Sequence, residues 1–219
     1  MASGRQCLML TDLPMEVLII VGDVAVTSFK PMEDLSNIRA VCRVMERACS
    51  DPSIGQRMAM LQIYREGLGW RDPDRYYNLL TLLVGVANPQ ACTLKGIADL
   101  FGSTDPSLNE LSRATAGGHN VGAYLYALML YRKNVGTMND NIAKMYIRHL
   151  ECDDDSVAIG SAGPNKLRND GCWVFREESA YLVNSVTWRM HGEPLPPAPV
   201  CWRYALEAII EMMIFHLYP

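Results

Sequence analysis

An all-α fold is predicted by three observations on this 219-residue sequence. Apolar residues recur at helical spacing in segment after segment. Two stretches in the middle of the chain align with each other at a period in the thirties, the length of a helical-hairpin repeat. The chain closes on a stripe running through Trp202, Ala205, Leu206, Ile209, Ile210, Met213, Ile214 and Leu217, which keeps helical spacing for four turns.

Composition narrows the function classes. A hydrophobic fraction of 49% is enough for a packed core, and the net charge is −4. Lys and Arg are scattered without a run, so no electrostatic footprint for nucleic acid is expected. The opening "MASGRQCLML" lacks the apolar region and cleavage site of a signal peptide. The apolar stretch Leu13–Val26 is shorter than the roughly 20 residues of a bilayer span and carries Glu16 and Asp23. No membrane association is expected, and the chain reads as cytoplasmic or nuclear. Seven cysteines at irregular spacing are expected to be mostly reduced, buried, small hydrophobic residues.

The first element is "LTDLPMEVLIIVGDVAV", residues 10–26. Asp12 is the expected N-cap, and Pro14 falls where a missing N–H costs little. On a helical wheel Val17, Leu18, Val21, Val24 and Ala25 form one apolar stripe. Met15, Ile19 and Val26 fall opposite, Ile20 lies between, and only Glu16 and Asp23 give a polar edge. An ordinary surface helix has one apolar face, so a second surface must cover this one. The helix is expected to end near Ser28. Pro31 opens a short second helix, "PMEDLSNI". A third, "IRAVCRVMERACS", places Ile38, Val41, Cys42, Met45 and Cys49 on one face, before "SDPS" at 50–53 breaks the chain. Three helices in some 40 residues make a marginal core that needs help from the rest of the chain or from a partner.

In order along this segment stand Leu13, Pro14, Glu16, Val17, Leu18, Ser28, Asp34, Leu35, Arg39, Cys42 and Arg43. That ordered set resembles the F-box, the plant type in particular. Met45 departs from it, standing where the family usually has an aromatic residue. The resemblance implies a Skp-type adaptor as partner and, through it, a cullin ubiquitin ligase. It also implies an adaptor-binding set of Leu13, Pro14, Glu16, Val17, Leu18, Ile20, Leu35, Arg39, Cys42 and Arg43. The adaptor would then cover the second apolar face of the first helix.

Residues 51–152 are expected to form the second part, a short α-solenoid of helical hairpins. "ANPQACTLKGIADLFG" and "GHNVGAYLYALMLYRK" align at an offset of 32, Asn88 with Asn120 and Ala91 with Ala123. "SLNELSRATAGG" carries a capping-box pattern, Ser107 with Glu110, and glycines past its end. "DNIAKMYIRHL" places Ile142, Met145, Tyr146 and Leu150 on one face. Small residues at Ala91, Gly96, Ala98, Gly122, Ala123 and Ala127 allow close helix packing. Tyr64, Trp70, Tyr76 and Tyr77 precede the first hairpin and are expected to cap it, since two repeats bury too little alone. The segment is similar to the Sel-type, tetratricopeptide-related repeats that follow the F-box in one plant family.

Residues 153–219 read as a polar loop, a proline-rich connector "HGEPLPPAPV" and the C-terminal helix, which is expected to cap the repeats. Some plant proteins that this architecture resembles end in a MYND-type zinc finger, which needs repeated close Cys pairs. Cys152, Cys172 and Cys201 are each isolated, no close Cys or His pair exists, and no metal or other cofactor is expected. His119 in its Gly-Gly-His turn reads as a cap, and His149 as a groove-edge residue. The acids of "ECDDDS" are consecutive rather than spaced as ligands. No phosphate loop, nucleophile elbow or zincin helix appears, so no catalytic residue is expected.

The resemblance implies the substrate-recognition subunit of an SCF-type (Skp–cullin–F-box) ubiquitin ligase. The F-box of residues 1–50 would hold the adaptor, and the repeats an unidentified target protein. The alternative is a stand-alone module that sequesters or neutralises a partner protein without ubiquitination.

Overall fold

A computed structural model describes residue 10 and residues 13–102, 107–133, 141–143, 145–146 and 170–190 of the chain. Regular structure among them is α-helical throughout, as the periodicity predicts. The chain divides into two compact units, Met1–Asn88 and Pro89–Pro219. Motif extent suggests a boundary at residue 50. The spatial boundary instead follows Asn88, because the short helices after residue 50 pack with those before it.

The first unit opens with α1 (Met15–Val26), α2 (Pro31–Val41) and α3 (Arg43–Ala48), each in contact with the other two. Pro14 occupies the N-cap position of α1 and offers no side-chain cap, while Asp12, the expected cap, lies outside the described residues. The helix ends at Val26. Thr27 closes it by donating from Oγ1 to the Asp23 carbonyl at 2.9 Å. The expected third helix is divided. Ile38 and Val41 belong to α2, the backbone at Cys42 is extended (φ −164°, ψ 163°), and α3 starts at Arg43. The break turns Val41 out to solvent while Met45 and Cys49 stay in the core. Met45, the departure from the family pattern, is therefore a core residue.

The same unit continues through α4 (Pro52–Arg57), α5 (Met60–Arg65), α6 (Leu68–Arg71) and α7 (Pro73–Gly85). "SDPS" is a helix start rather than a plain break. The Asp51 carboxylate accepts from Ser53 N at 2.9 Å and Ser53 Oγ at 2.6 Å, with Pro52 in the first turn. Those two bonds hold its carboxyl below the usual carboxylate range. Asp72 caps α7 in the same way, accepting from Arg75 N at 3.1 Å. These helices supply the help the first three need. Ile54 of α4 fills the space beside Gly22, and Ala59 N donates to the Val26 carbonyl at 3.0 Å. Tyr64 and Tyr76 are buried with ring centroids 6.0 Å apart, whereas Trp70 and Tyr77 are exposed.

The end of α7 locks the unit. Ala87 adopts the left-handed conformation (φ 62°) usually left to glycine. Ala87 N bonds to the Val84 carbonyl and Asn88 N to the Leu83 carbonyl. That turn delivers the buried Asn88 side chain to three backbone carbonyls. Its Nδ2 donates to Gly55 O at 2.8 Å, Met58 O at 2.9 Å and Gln56 O at 3.1 Å.

The second unit packs α8 (Pro89–Gly102), α9 (Asn109–Ala116) and α10 (Asn120–Lys133) in mutual contact, with α11 (Asp170–Met190) against α8 and α10. The glycines past α9 close it as predicted, with Gly118 left-handed (φ 79°), Gly118 N on Thr115 O and His119 N on Ala114 O. The expected capping box does not form. Leu108 takes the N-cap position, Ser107 Oγ accepts from Asn109 N at 3.3 Å, and Glu110 pairs with Arg113 at 2.8 Å. Small residues do set the close approaches. A Cβ on Gly96 would stand 2.8 Å from Leu111 Cγ and 3.1 Å from its backbone N, and one on Gly122 2.8 Å from Ala114 Cβ.

Both α8 and α10 have 14 residues, and each follows a helix-ending turn whose last residue is buried or half-buried, Asn88 or His119. Their starts at 89 and 120 are 120 − 89 = 31 residues apart, one fewer than the offset aligning Ala91 with Ala123. Residue identity favours the offset of 32, and helix boundaries the offset of 31.

The 21-residue α11 falls where no helix is expected from sequence. Residues 141–143 and 145–146 are helical. Ala143 is buried there and Met145 exposed, so the inward face is not the one expected through Met145. Leu150, His149, the acids 151–155, the connector and the helix expected over 202–217 lie outside the described residues.

Candidate partner-binding surface

The packing of α1 divides its apolar residues into two faces. Leu18, Gly22, Ala25 and Val26 are buried, at i, i+4, i+7 and i+8. Gly22 belongs to that face because a Cβ there would stand 2.9 Å from Ile54 Cδ1. Val17, Ile20, Val21 and Val24 recur at i, i+3, i+4 and i+7 on the other side. All four are exposed, Ile20 to 59% and Val24 to 67%. The single stripe expected through Val17, Leu18, Val21, Val24 and Ala25 is thus cut in two. A helix that is apolar on both sides is ordinarily buried on both, and here only one side of α1 is.

The residues implied by the F-box resemblance distribute accordingly. Pro14, Glu16, Val17 and Ile20 are exposed and Leu13 is half-buried, all at the N-terminal end or along the outer face of α1. Arg39 and Arg43 are exposed on α2 and α3, and Cys42 between them is half-buried. Leu18 and Leu35 are core residues, fully and nearly fully buried. Their side chains hold the helices together and offer no surface. Two exposed residues outside the implied set extend the apolar area, Val21 and Val24 on α1; Phe29 in the turn after it is exposed as well. The first two were legible as heptad-like neighbours of Val17. Phe29 was not, since nothing in the four-residue turn 27–30 dictates which way a side chain faces.

Ser28 and Asp34 are joined. Ser28 Oγ donates to Asp34 Oδ2 at 2.5 Å and accepts from Lys30 N at 3.2 Å, tying the end of α1 to the first turn of α2. Their role here is to fix the α1–α2 turn. Asp23, the acid on the α1 edge, takes the Arg57 guanidinium on Oδ2. Arg57 is largely exposed, so the pair contributes little to stability.

Chemistry-bearing groups are sparse. Cys49 and Cys92 are buried free thiols, and burial pushes both above the ordinary range, Cys92 to about 11 with the Glu110 carboxylate adding to the shift. Neither is poised as a nucleophile. Among the described residues no group of three His, Cys, Asp or Glu side chains could hold a metal ion, and no helix is long and apolar enough to cross a membrane. His119 caps α10, accepting from Gly122 N on Nδ1 at 3.2 Å. Comparison with known protein families, with curated proteins and with solved structures finds no match to this chain.

Proposed function

We propose that the chain is the substrate-recognition subunit of an SCF-type ubiquitin ligase in which α1 docks a Skp-type adaptor. The supporting observation is the uncovered apolar face of Val17, Ile20, Val21 and Val24 on a helix whose opposite face is buried. Contiguous exposed apolar residues mark interaction surfaces in soluble proteins. This face continues from the half-buried Leu13 and exposed Pro14 that open the F-box-like segment. Arg39 and Arg43 add exposed positive charge on the neighbouring helices. The second unit, helical and closely packed, would hold the target protein. The chain itself would be non-catalytic, supplying proximity and orientation to a ubiquitin-conjugating partner.

Co-expression with a plant Skp adaptor tests this reading. A complex stable through size exclusion is expected, and the Leu13→Ala, Pro14→Ala double variant should release the adaptor with helical content unchanged. A chain that elutes alone at micromolar concentration removes the basis for a ligase subunit. If that chain still retains a target protein, it is the sequestering module of the alternative reading.

A further inference from the structure

The joint between α9 and α10 carries a titratable side chain in a place where a proton changes its function. His119 is at once the last residue of the turn closing α9 and the N-cap of α10. Its N–H donates to Ala114 O at 3.1 Å, and its carbonyl accepts from Ala123 N at 2.9 Å. Its ring reaches back into the α8–α9–α10 packing. Nδ1 accepts from Gly122 N at 3.2 Å and lies 2.8 Å from Thr93 Oγ1 of α8, itself 3.0 Å from the Pro89 carbonyl. The Gly122 bond needs a lone pair on Nδ1 and so assigns the neutral ring's proton to Nε2, with the Thr93 hydroxyl turning its one hydrogen from the Pro89 carbonyl to Nδ1. Gly122 is packed close against the atoms that surround the ring nitrogen. A Cβ there would stand 2.7 Å from Thr93 Oγ1 and 2.8 Å from Ala114 Cβ.

We propose that His119 is a proton-operated latch: the neutral ring closes the α9–α10 joint through Nδ1, and a proton taken up from solvent on that nitrogen opens it. Once protonated, Nδ1 can donate to Thr93 Oγ1 but can no longer accept from Gly122, and an N-cap bond of α10 is lost. A positive ring also sits at the positive end of the α10 dipole.

The surrounding charges set the direction. Glu178 of α11 favours the imidazolium, but burial outweighs it and holds His119 below the ordinary imidazole range. On α8, Lys95 and Asp99 pair with each other, and on α9 Glu110 pairs with Arg113. The first turn of α10, Asn120–Ala123, holds no charged side chain. A group whose folded value lies below its unfolded value binds its proton more readily in the unfolded chain. Its contribution is therefore whole above about pH 6.5 and is lost as the pH falls toward the folded value.

Nuclear magnetic resonance on the full chain between pH 8 and pH 5 tests the latch. The ring should be the Nε2–H tautomer at neutral pH and titrate below about 6.5. As it titrates, protection of the Gly122 amide, corrected for intrinsic exchange, should drop about fivefold, the factor for one net hydrogen bond. His119→Asn keeps a capping oxygen without a titrating group and should hold Gly122 protection constant across this range. A proton on Nδ1 at neutral pH overturns the proposal, as does Gly122 protection that ignores the ring's titration. If the Asn variant folds and keeps the wild-type pH response, another group is the sensor. If it does not fold, the wild-type titration alone decides.

Discussion

At the scale of single residues, two glycines with the same identity carry opposite consequences. Gly122 in α10 faces Ala114 Cβ, an atom rigidly attached to the α9 backbone, so an added methyl group must separate two helices. Gly85, the last residue of α7, is exposed and has nothing within 4 Å of where a Cβ would stand. Gly122→Ala should cost about 1–3 kcal/mol through overpacking. Gly85→Ala should stabilise by about 0.5–1 kcal/mol, because alanine loses less backbone freedom on entering a helix. Thermal or denaturant unfolding of the two variants checks both signs; a neutral Gly122→Ala would show that the α9–α10 contact is looser than described. Asn88 teaches a related lesson about legibility. Its alignment with Asn120 marks it in the sequence, but nothing there reveals that its amide spans three carbonyls some 30 residues upstream.

At the scale of elements, α1 gives the clearest division between folding and binding. Leu18→Ala empties a fully buried site and should cost about 2–5 kcal/mol. The pair Ile20→Ser and Val24→Ser lies on the outer face and should change stability by no more than about 0.5 kcal/mol each. On the proposed function, that pair should nonetheless abolish adaptor binding. Calorimetric melting beside a pull-down separates the effects; if the serine variant binds the adaptor like wild type, the docking face lies elsewhere. The presence of α1, α2, α8, α9 and α10 was legible because their apolar periodicity and flanking Pro or Gly punctuation agree. α11 was not. Its buried positions include Ser179 and Ser185 beside Leu182, Val183 and Val186, so a hydropathy pattern underreports the inward face. The break at Cys42 was equally hidden, because "IRAVCRVMERA" contains no proline or glycine to mark it. The candidate surface lies on the helix that opens the F-box-like segment. Assigning Leu18 and Leu35 to the core rather than the interface required knowing how α1, α2 and α3 pack on one another.

At the scale of the whole molecule, the division after Asn88 makes a claim about folding. Residues 1–50 alone lack Ile54 beside Gly22, the Ala59 bond to Val26 and the Asn88 clamp on residues 55–58. A fragment of residues 1–50 is therefore expected to be largely unfolded. Residues 1–88 should show helical circular dichroism and a cooperative melt, near the small end of the range for an independent domain. A cooperative melt by the shorter fragment would place the folding boundary at residue 50 after all. The outer face of α1 has a further consequence, one of supply rather than shape. A chain synthesised in excess of whatever covers Val17, Ile20, Val21 and Val24 displays the kind of surface that chaperones and proteases select. Its abundance in the cell should then follow the abundance of its partner, with surplus copies cleared. On the proposed function, pulse-chase measurement of its half-life while the adaptor is depleted should show a shortening, and replacing Ile20 and Val24 by serine should restore the longer lifetime without restoring the partner.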